Sequence, residues 1–247
     1  MRLGVIADVH GNLPALEAVL TRLAGLSVDR IVNLGDCASG PLWPAETVRL
    51  LRTSRMSHVR GNHDRALGAA SPDGLGASDR FAWHDLDAEA RGWLAGLPFD
   101  IEIGRARCFH ACPKDDETYL LDEVEGGRLA AARPQAVEAL IATAASADVI
   151  LCGHSHQPRL LRLDNGTVVI NPGSVGNPAY HADYPSIHVS ESGAPHARLA
   201  VVTMAKAVEI EHHAVVYDWE HAARQAQANG RADWAHALRT GRALVSR

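Results

Sequence analysis

The sequence predicts an α/β protein in which two packed β-sheets lie inside flanking helices. Three observations carry that prediction. The N-terminal part alternates short apolar runs with helix-like segments, a βαβαβ rhythm whose crossovers demand a parallel sheet. The C-terminal part carries strand-like runs paired around tight turns. Several apolar runs end in Asp, Asn or His, at the edge where open α/β sheets bind ligands.

In chain order, Leu3–Ala7 is a short buried strand. Asn12 caps the next helix, with Pro14 in its first turn, and Leu16, Val19, Leu20 and Leu23 recur at helical spacing before Gly25. Ile31–Leu34 is a second strand, Pro44–Leu51 a helix and Met56–Val59 a third strand. Ala66–Leu97 contains Ser71-Pro72-Asp73-Gly74 and the aromatic positions Phe81, Trp83 and Trp93. It reads as an exposed loop followed by helical material over one end of the sheet. Ile101–Ile103 and Ala106–Phe109 form a hairpin around Gly104-Arg105. Lys114–Arg133 is polar and suits part of a lid. Pro134 opens a helix carrying Val137, Leu140 and Ile141, and Val149–Leu151 is another buried strand. Leu160–Leu163 and Val168–Ile170 flank the hairpin turn Asp164-Asn165-Gly166. Ile187–Val189, Arg198–Thr203 and Val208–His213 are further strands, and from Asp218 two helices are broken by Gly230. The expected organisation is one domain, 1–247, with lid-like insertions at about 66–97 and 111–133 and a helical tail at about 218–247.

The 247 residues are 47% hydrophobic and 21% charged, an ordinary globular balance, with a formal net charge of −5. Such a chain lacks the basic surface of a sequence-independent nucleic-acid binder, so no stable nucleic-acid binding is expected. No segment has the unbroken apolar length of a membrane span, and the opening run reaches Asp8 too early for a signal peptide. The expectation is a cytoplasmic protein without a membrane partner. The cysteines Cys37, Cys108, Cys112 and Cys152 form no CxxC pair, which fits a reducing compartment. Oligomeric state leaves no readable trace.

The chemistry lies at the ends of the apolar runs. Asp8-Val9-His10, Gly35-Asp36, Gly61-Asn62-His63-Asp64, His110 and Gly153-His154-Ser155-His156 all stand at or just beyond strand ends. Imidazole mixed with carboxylate suits Mn, Fe, Co, Ni or Zn better than Mg or Ca. In Asp8-x-His10 and His154-x-His156, residues i and i+2 of an extended chain point to one side. The set Asp8, His10, Asp36, Asn62, His110, His154 and His156 exceeds one tetrahedral ion and suits two divalent ions sharing a carboxylate. Two such ions facing two aspartates leave a net positive site, a receptor for phosphate.

These motifs, together with Pro41, resemble the calcineurin-like metallophosphoesterase superfamily. Gly11-Asn12 and Asn171-Pro172-Gly173-Ser174-Val175-Gly176 resemble its small bacterial and archaeal branch, the YfcE-type phosphodiesterases. The resemblance implies a four-layer α/β/β/α sandwich of two mixed sheets flanked by helices. It implies that Asp8, His10 and His156 bind one metal, that Asn62, His110 and His154 bind a second, and that Asp36 bridges them. It places His63 at the scissile phosphate as a proton donor to the leaving group, with Asp64 orienting its ring, and Asn12 and Asn62 beside the substrate. Manganese is the first expectation, with Fe, Zn, Co or Ni as alternatives. The implied reaction is hydrolysis of a phosphodiester by metal-bound hydroxide. The substrate is a small phosphate ester, nucleotides included. Phosphomonoester or dinucleoside-polyphosphate hydrolysis is the alternative, and a non-catalytic scaffold of the same fold stands further off. Ala111 departs from the glycine often found after the metal-binding His.

Plainer readings stand beside these. A cap alone explains Asn12, and Asn171–Gly176 is most simply a turn. Cys37 reads as a small buried filler. Arg60 suits a phosphate or a salt bridge equally. Trp83, Trp93 and Tyr180 suit core or pocket wall. His58, His84, His181, His188, His196, His212, His213, His221 and His236 stand outside the motifs.

Overall fold

A computed structural model describes residues 1–144 and 146–244. The chain runs β1 (Arg2–Ile6), α1 (Leu13–Ala24), β2 (Arg30–Asn33), α2 (Pro44–Thr53), β3 (Ser57–His58), α3 (Asn62–Leu67), α4 (Ala77–Asp85) and α5 (Ala88–Ala95). It continues with β4 (Asp100–Ile103), β5 (Ala106–Phe109), β6 (Asp122–Glu125), β7 (Arg128–Ala131), α6 (Pro134–Ile141) and β8 (Val149–Leu151). It ends with β9 (Pro158–Arg162), β10 (Val168–Pro172), β11 (Ala179–Ala182), β12 (His188–Glu191), β13 (Ala197–Met204), β14 (Val208–Val215), α7 (Trp219–Ala228) and α8 (Ala232–Thr240).

Two five-stranded mixed sheets form the centre, ordered β14-β13-β1-β2-β3 and β4-β5-β8-β10-β9. In the first, β1, β2 and β3 run parallel while β13 and β14 are antiparallel additions. In the second, β5, β8 and β10 run parallel between antiparallel β4 and β9.

Strand period sorts the side chains into layers. Leu3, Val5 and Ala7 of β1 and its exit face Val149, Leu151, Val168 and Ile170 of the second sheet. The alternate residues Ile6 and Val9 turn outward onto Leu16, Val19 and Leu23 of α1. On the far side, Ile150 and Val169 pack against Val137 and Ile141 of α6. The result is helix, sheet, sheet, helix. The chain's α/β layering with mixed sheets is thus the predicted one.

A third sheet, β11-β12-β7-β6, lies outside that prediction. The Lys114–Arg133 stretch, expected as lid, supplies β6 and β7 as a hairpin. Its strands read DEVE and RLAA and are mostly half-exposed, so no clean apolar alternation marks them. The Ala66–Leu97 stretch holds the end of α3, all of α4 and α5, and a loop carrying the Ser71–Gly74 turn. The C-terminal helices break at Gly230, which takes φ 75°, and 245–247 of the expected tail lie outside the described residues.

Candidate metal centre

The exits of β1, β2, β5 and β8 and the start of α3 converge at one edge. The backbone there is unusual. Among the described residues, left-handed φ values at non-glycine positions occur at Asp8 (56°), His10 (51°), Asp36 (56°), His154 (67°), His156 (60°) and Ser27 (52°). All but Ser27 are predicted ligands. Such angles cost energy for residues with a Cβ and persist where surroundings enforce them. Here the loops hold one another. Asp8 N–H donates to Gly35 O (3.0 Å), His10 N–H to Asp36 O (2.9 Å) and Gly176 N–H to Asp8 O (2.9 Å). Ser174 Oγ also donates to Asp8 O (2.9 Å), so the Asn171–Gly176 run braces the first ligand loop.

Two clusters result. Asp8, His10 and His156 place ligand atoms within 4.8 Å of one another, and so do Asp36, His110 and His154. Asp36 reaches both. Its Oδ2 lies 3.2 Å from His110 Nε2 and 3.9 Å from His10 Nε2, while its Oδ1 accepts the His63 backbone N–H (3.0 Å). Asn62 Oδ1 stands 3.1 Å from His110 Nε2. These are two His/Asp clusters compatible with a dinuclear divalent-metal centre.

The outward ring nitrogens decide which way the lone pairs point. His10 Nδ1 meets Ser39 O (2.7 Å), His110 Nδ1 meets Leu34 O (2.8 Å), His154 Nε2 meets Glu117 O (2.8 Å) and His156 Nδ1 meets Asn177 O (2.7 Å). A carbonyl only accepts, so each of these nitrogens donates. In a neutral ring the inner nitrogen is then a bare lone pair. His10 Nε2 and His156 Nε2 face each other at 3.0 Å. Two lone pairs at that distance repel unless a cation lies between the ligands.

The electrostatics agree. Burial pushes His10 down to about 4 and His154 down to about 3, and holds His156 far below its usual range, which keeps all three rings neutral. Burial pushes the Asp8 carboxyl up to about 8. Asp36 goes the other way. Burial would raise it, but His110 and His63 outweigh burial and hold it well below the usual carboxylate range. Burial would lower His110, yet Asp36 and Asp8 push it up to about 9. The pocket therefore draws positive charge to the side of Asp36. The residues fit two divalent ions by donor chemistry and by field.

His63 stands apart from the clusters and lines the same cavity. Its Nδ1 donates to Asp79 Oδ1 at 2.8 Å. Burial would lower its pKa, but Asp36 and Asp79 push it up to about 10, with its side chain 35% exposed to the cavity. The expectation for Asp64 is corrected here. Its carboxylate accepts from the backbone N–H groups of Asp36 (2.8 Å), Cys37 (2.9 Å) and Gly61 (2.9 Å). Committed to amides, it ties the β2 exit to α3 and does not reach the His63 ring. Gly61 is required by that closeness, since a Cβ there would collide with the Asp36 side chain.

Asn12 is also corrected. It is fully buried and absent from the cavity wall. Its Oδ1 caps α1 at Ala15 N–H (3.3 Å), and its Nδ2 donates to Gly176 O (2.9 Å) and Tyr217 OH (3.2 Å). Asn62 does line the cavity. Arg60 reaches Ala95 O (3.4 Å) and, among the described residues, forms no ion pair; it does not line the cavity of the clusters. Trp83 and Trp93 pack on the α1-side core, whereas Tyr180 lines the cavity. Cys37 is fully buried.

Sequence reasoning missed several residues. Asp79 comes from α4, Tyr119 and the Glu117 carbonyl from the segment before β6, and Trp234 from α8. Arg65 clamps the Glu117 segment by a fork onto Asp116 (2.8 and 2.9 Å) and a contact with Glu117 (2.8 Å). None carries a local motif.

A buried pair of His/Asp clusters at the carboxyl edge of two packed mixed sheets defines a metallophosphoesterase-type centre. Residues 1–192 match the model of the calcineurin-like phosphoesterase superfamily domain, and the chain belongs to that superfamily. It is 33% identical over 201 residues to protein MJ0912 of Methanocaldococcus jannaschii, covering 71% of this chain and 76% of that one. A metallophosphoesterase from Sphaerobacter thermophilus superposes with TM-score 0.75 at 24% identity, over 98% of this chain and 100% of the other. Protein PH1004 of Pyrococcus horikoshii OT3 does so with TM-score 0.77 at 19% identity, over 97% and 98%. These two structures support the fold.

Proposed function

We propose that this metal-dependent phosphoester hydrolase acts on a small phosphodiester. The observation that carries the reading is the pair of clusters joined by Asp36, with inward lone pairs from His10 and His156 and a mixed N/O donor set. Divalent ions held there supply a lowered water pKa and positive charge towards the phosphoryl oxygens. Manganese fits the mixed imidazole and carboxylate set, as do Fe, Co, Ni and Zn. Asp8, His10 and His156 would hold one ion, Asn62, His110 and His154 the other, and Asp36 both.

The remaining steps belong to the chain's side chains. Asn62 fixes position at the phosphate. His63, its Nδ1–H held by Asp79, presents Nε2–H to the cavity. Water adds to phosphorus and releases a proton to solvent, one P–O ester bond breaks, and His63 gives its proton to the departing oxygen and is reprotonated from solvent. The products are an alcohol and a phosphomonoester.

Charge favours a diester. Arg231 is the one arginine or lysine among the described lining residues, and Asp233 (2.7 and 3.0 Å) and Ser78 (2.9 Å) already engage it. Glu117, Asp183 and Asp233 line the same wall. A wall of that sign suits a singly charged diester better than a dianionic monoester or a polyphosphate chain. The Gly11-Asn12 and Asn171–Gly176 runs support a place in the small bacterial and archaeal branch. Free, buried cysteines at 37, 108, 112 and 152 support a cytoplasmic setting.

Purified protein is to be stripped of metal, reloaded with Mn²⁺, and offered nitrophenyl phosphodiester, nitrophenyl phosphate and pyrophosphate. Diester turnover should exceed the other two and vanish on chelation. Turnover on none of the three with any of the named metals sinks the hydrolase reading, and faster monoester turnover sinks the diester preference.

A further inference from the structure

The cavity holds about 540 Å³, more than the metal clusters and one phosphoryl group occupy. Part of its wall comes from beyond residues 1–192, the part that matches the superfamily model. Trp234 of α8, Asp233, Ala243 and Leu244 line the cavity together with Tyr180 and Tyr184. This C-terminal addition is built onto the site. Asn229 Nδ2 donates to Pro41 O (2.9 Å), and Arg231 Nη1 to Ser78 Oγ (2.9 Å) on α4. Beyond α8, Gly193 N–H donates to Gly241 O (2.9 Å) and Ala243 N–H to Glu191 Oε1 (2.9 Å), which fixes the segment leading to Leu244. The Trp234 ring stands edge-on to the ligand His10, with centroids 6.0 Å apart and planes at 74°.

The mouth carries exposed apolar and aromatic side chains beside acidic ones. Tyr184 is 65% exposed and Leu244 48% exposed although both line the cavity. Tyr180, by contrast, is held inside, its hydroxyl bonded to Tyr119 OH at 2.8 Å. An exposed ring above a buried phosphate site is a stacking surface without a partner. The neighbouring Asp183 stands 3.8 Å from His181 Nδ1 through one carboxylate oxygen and leaves 85% of its side chain exposed, an acceptor at the same rim.

We propose that Tyr184 and the C-terminal segment through Leu244 form a recognition site for a flat, uncharged ring on the phosphate ester, an aryl group or a nucleobase. The proposal rests on the phosphoester reading of the same cavity and names the class of organic group it selects. Stacking supplies the affinity, and Asp183 accepts from ring N–H groups. The site discriminates against esters that carry only small alkyl groups.

The test measures binding of three phosphates of equal charge to the Mn²⁺-loaded full chain by calorimetry: methyl phosphate, phenyl phosphate and thymidine 5′-phosphate. The two flat ligands should bind roughly tenfold more tightly than methyl phosphate, within the range that stacking on one aromatic ring supports. That ratio should fall to about one in Tyr184→Ala and persist in Tyr184→Phe. Leu244→Asp should lower it as well. Equal affinity for all three ligands in the wild-type protein overturns the proposal, as does an unchanged ratio in Tyr184→Ala. A parallel turnover measurement on nitrophenyl diesters separates the two readings. Turnover with equal affinities leaves hydrolysis standing and removes ring recognition. A ring preference without turnover leaves recognition standing and removes hydrolysis.

Discussion

The ligand edge and the cavity wall are built by opposite means. At the edge, five residues adopt left-handed backbone, loops are cross-bonded, and Asp8, His10, Asp36, His110 and His156 are almost wholly buried. The wall takes side chains from α4, the segment before β6, the β11 region and α8, and Tyr184 stands mostly in solvent. The edge stores strain to hold a fixed donor geometry. The wall is an assembly of distant pieces that meets the edge at a few points, such as the Glu117 carbonyl on His154 Nε2 and the Trp234 ring beside His10.

The largest expected effect lies at the edge. Asp36 is the carboxylate common to both clusters, held by His63 N–H and facing His110 and His10. Asp36→Asn keeps the shape and removes the charge. Bound metal per chain should drop, and kcat should fall by at least about a thousandfold, since the negative charge facing both clusters goes with it. Metal analysis beside steady-state kinetics checks both. Full metal content with near wild-type turnover would show that the edge does not depend on its shared ligand, and the contrast between the regions would collapse.

Asp79→Asn probes the junction of the two regions. Asp79 touches no predicted ligand ring and sits on α4, yet its Oδ1 accepts from His63 Nδ1. The amide can still accept there but no longer favours the charged ring. Removing a partner that orients a functional His typically costs about ten- to a hundredfold. The loss should fall on kcat, with KM and metal content little changed. His63→Ala should lose more, about a hundred- to ten-thousandfold, as for a general acid. Asp79→Asn applied on top of His63→Ala should then have almost no further effect. An additive double variant would place Asp79 in the packing of α4 instead.

The same contrast explains what could be read from the sequence. Asp8-x-His10, Gly61-Asn62-His63-Asp64 and Gly153-His154-Ser155-His156 each span a few residues at a strand end, so their donor types are legible locally. The extended backbone expected there is replaced by left-handed φ at Asp8, His10, His154 and His156, and His154 and His156 fall in different clusters. The layering was legible for a similar reason, because the strands β1, β8 and β10 are short apolar runs and α1 has helical spacing. Asp79 is an acidic residue on a short helix, separated from His63 by a loop, and nothing local distinguishes it from Asp73 or Asp85. Trp234 and Tyr184 meet the site only through tertiary packing. The third sheet escaped because β6, β7 and β11 are four residues each and carry no clean apolar alternation.

Asn12 gives the smallest expected effect on turnover and the sharpest check on where the edge ends. It stands two positions after the ligand His10 and belongs to a motif run, which suggested contact with substrate. In the fold its side chain caps α1 and bonds Gly176 O and Tyr217 OH inside the protein. Asn12→Ala removes a helix cap worth about 1 kcal/mol and leaves buried partners unsatisfied at about 1–3 kcal/mol more. Thermal unfolding should therefore begin at lower temperature. Among molecules still folded, KM should stay within about twofold of wild type, because no atom of Asn12 faces the cavity. A rise in KM of about tenfold with unchanged stability would reverse that assignment and extend the ligand edge into the start of α1. A fall in stability alone confines Asn12 to the scaffold: its link to Gly176, whose own N–H holds Asp8 O, then supports the strained loop from behind.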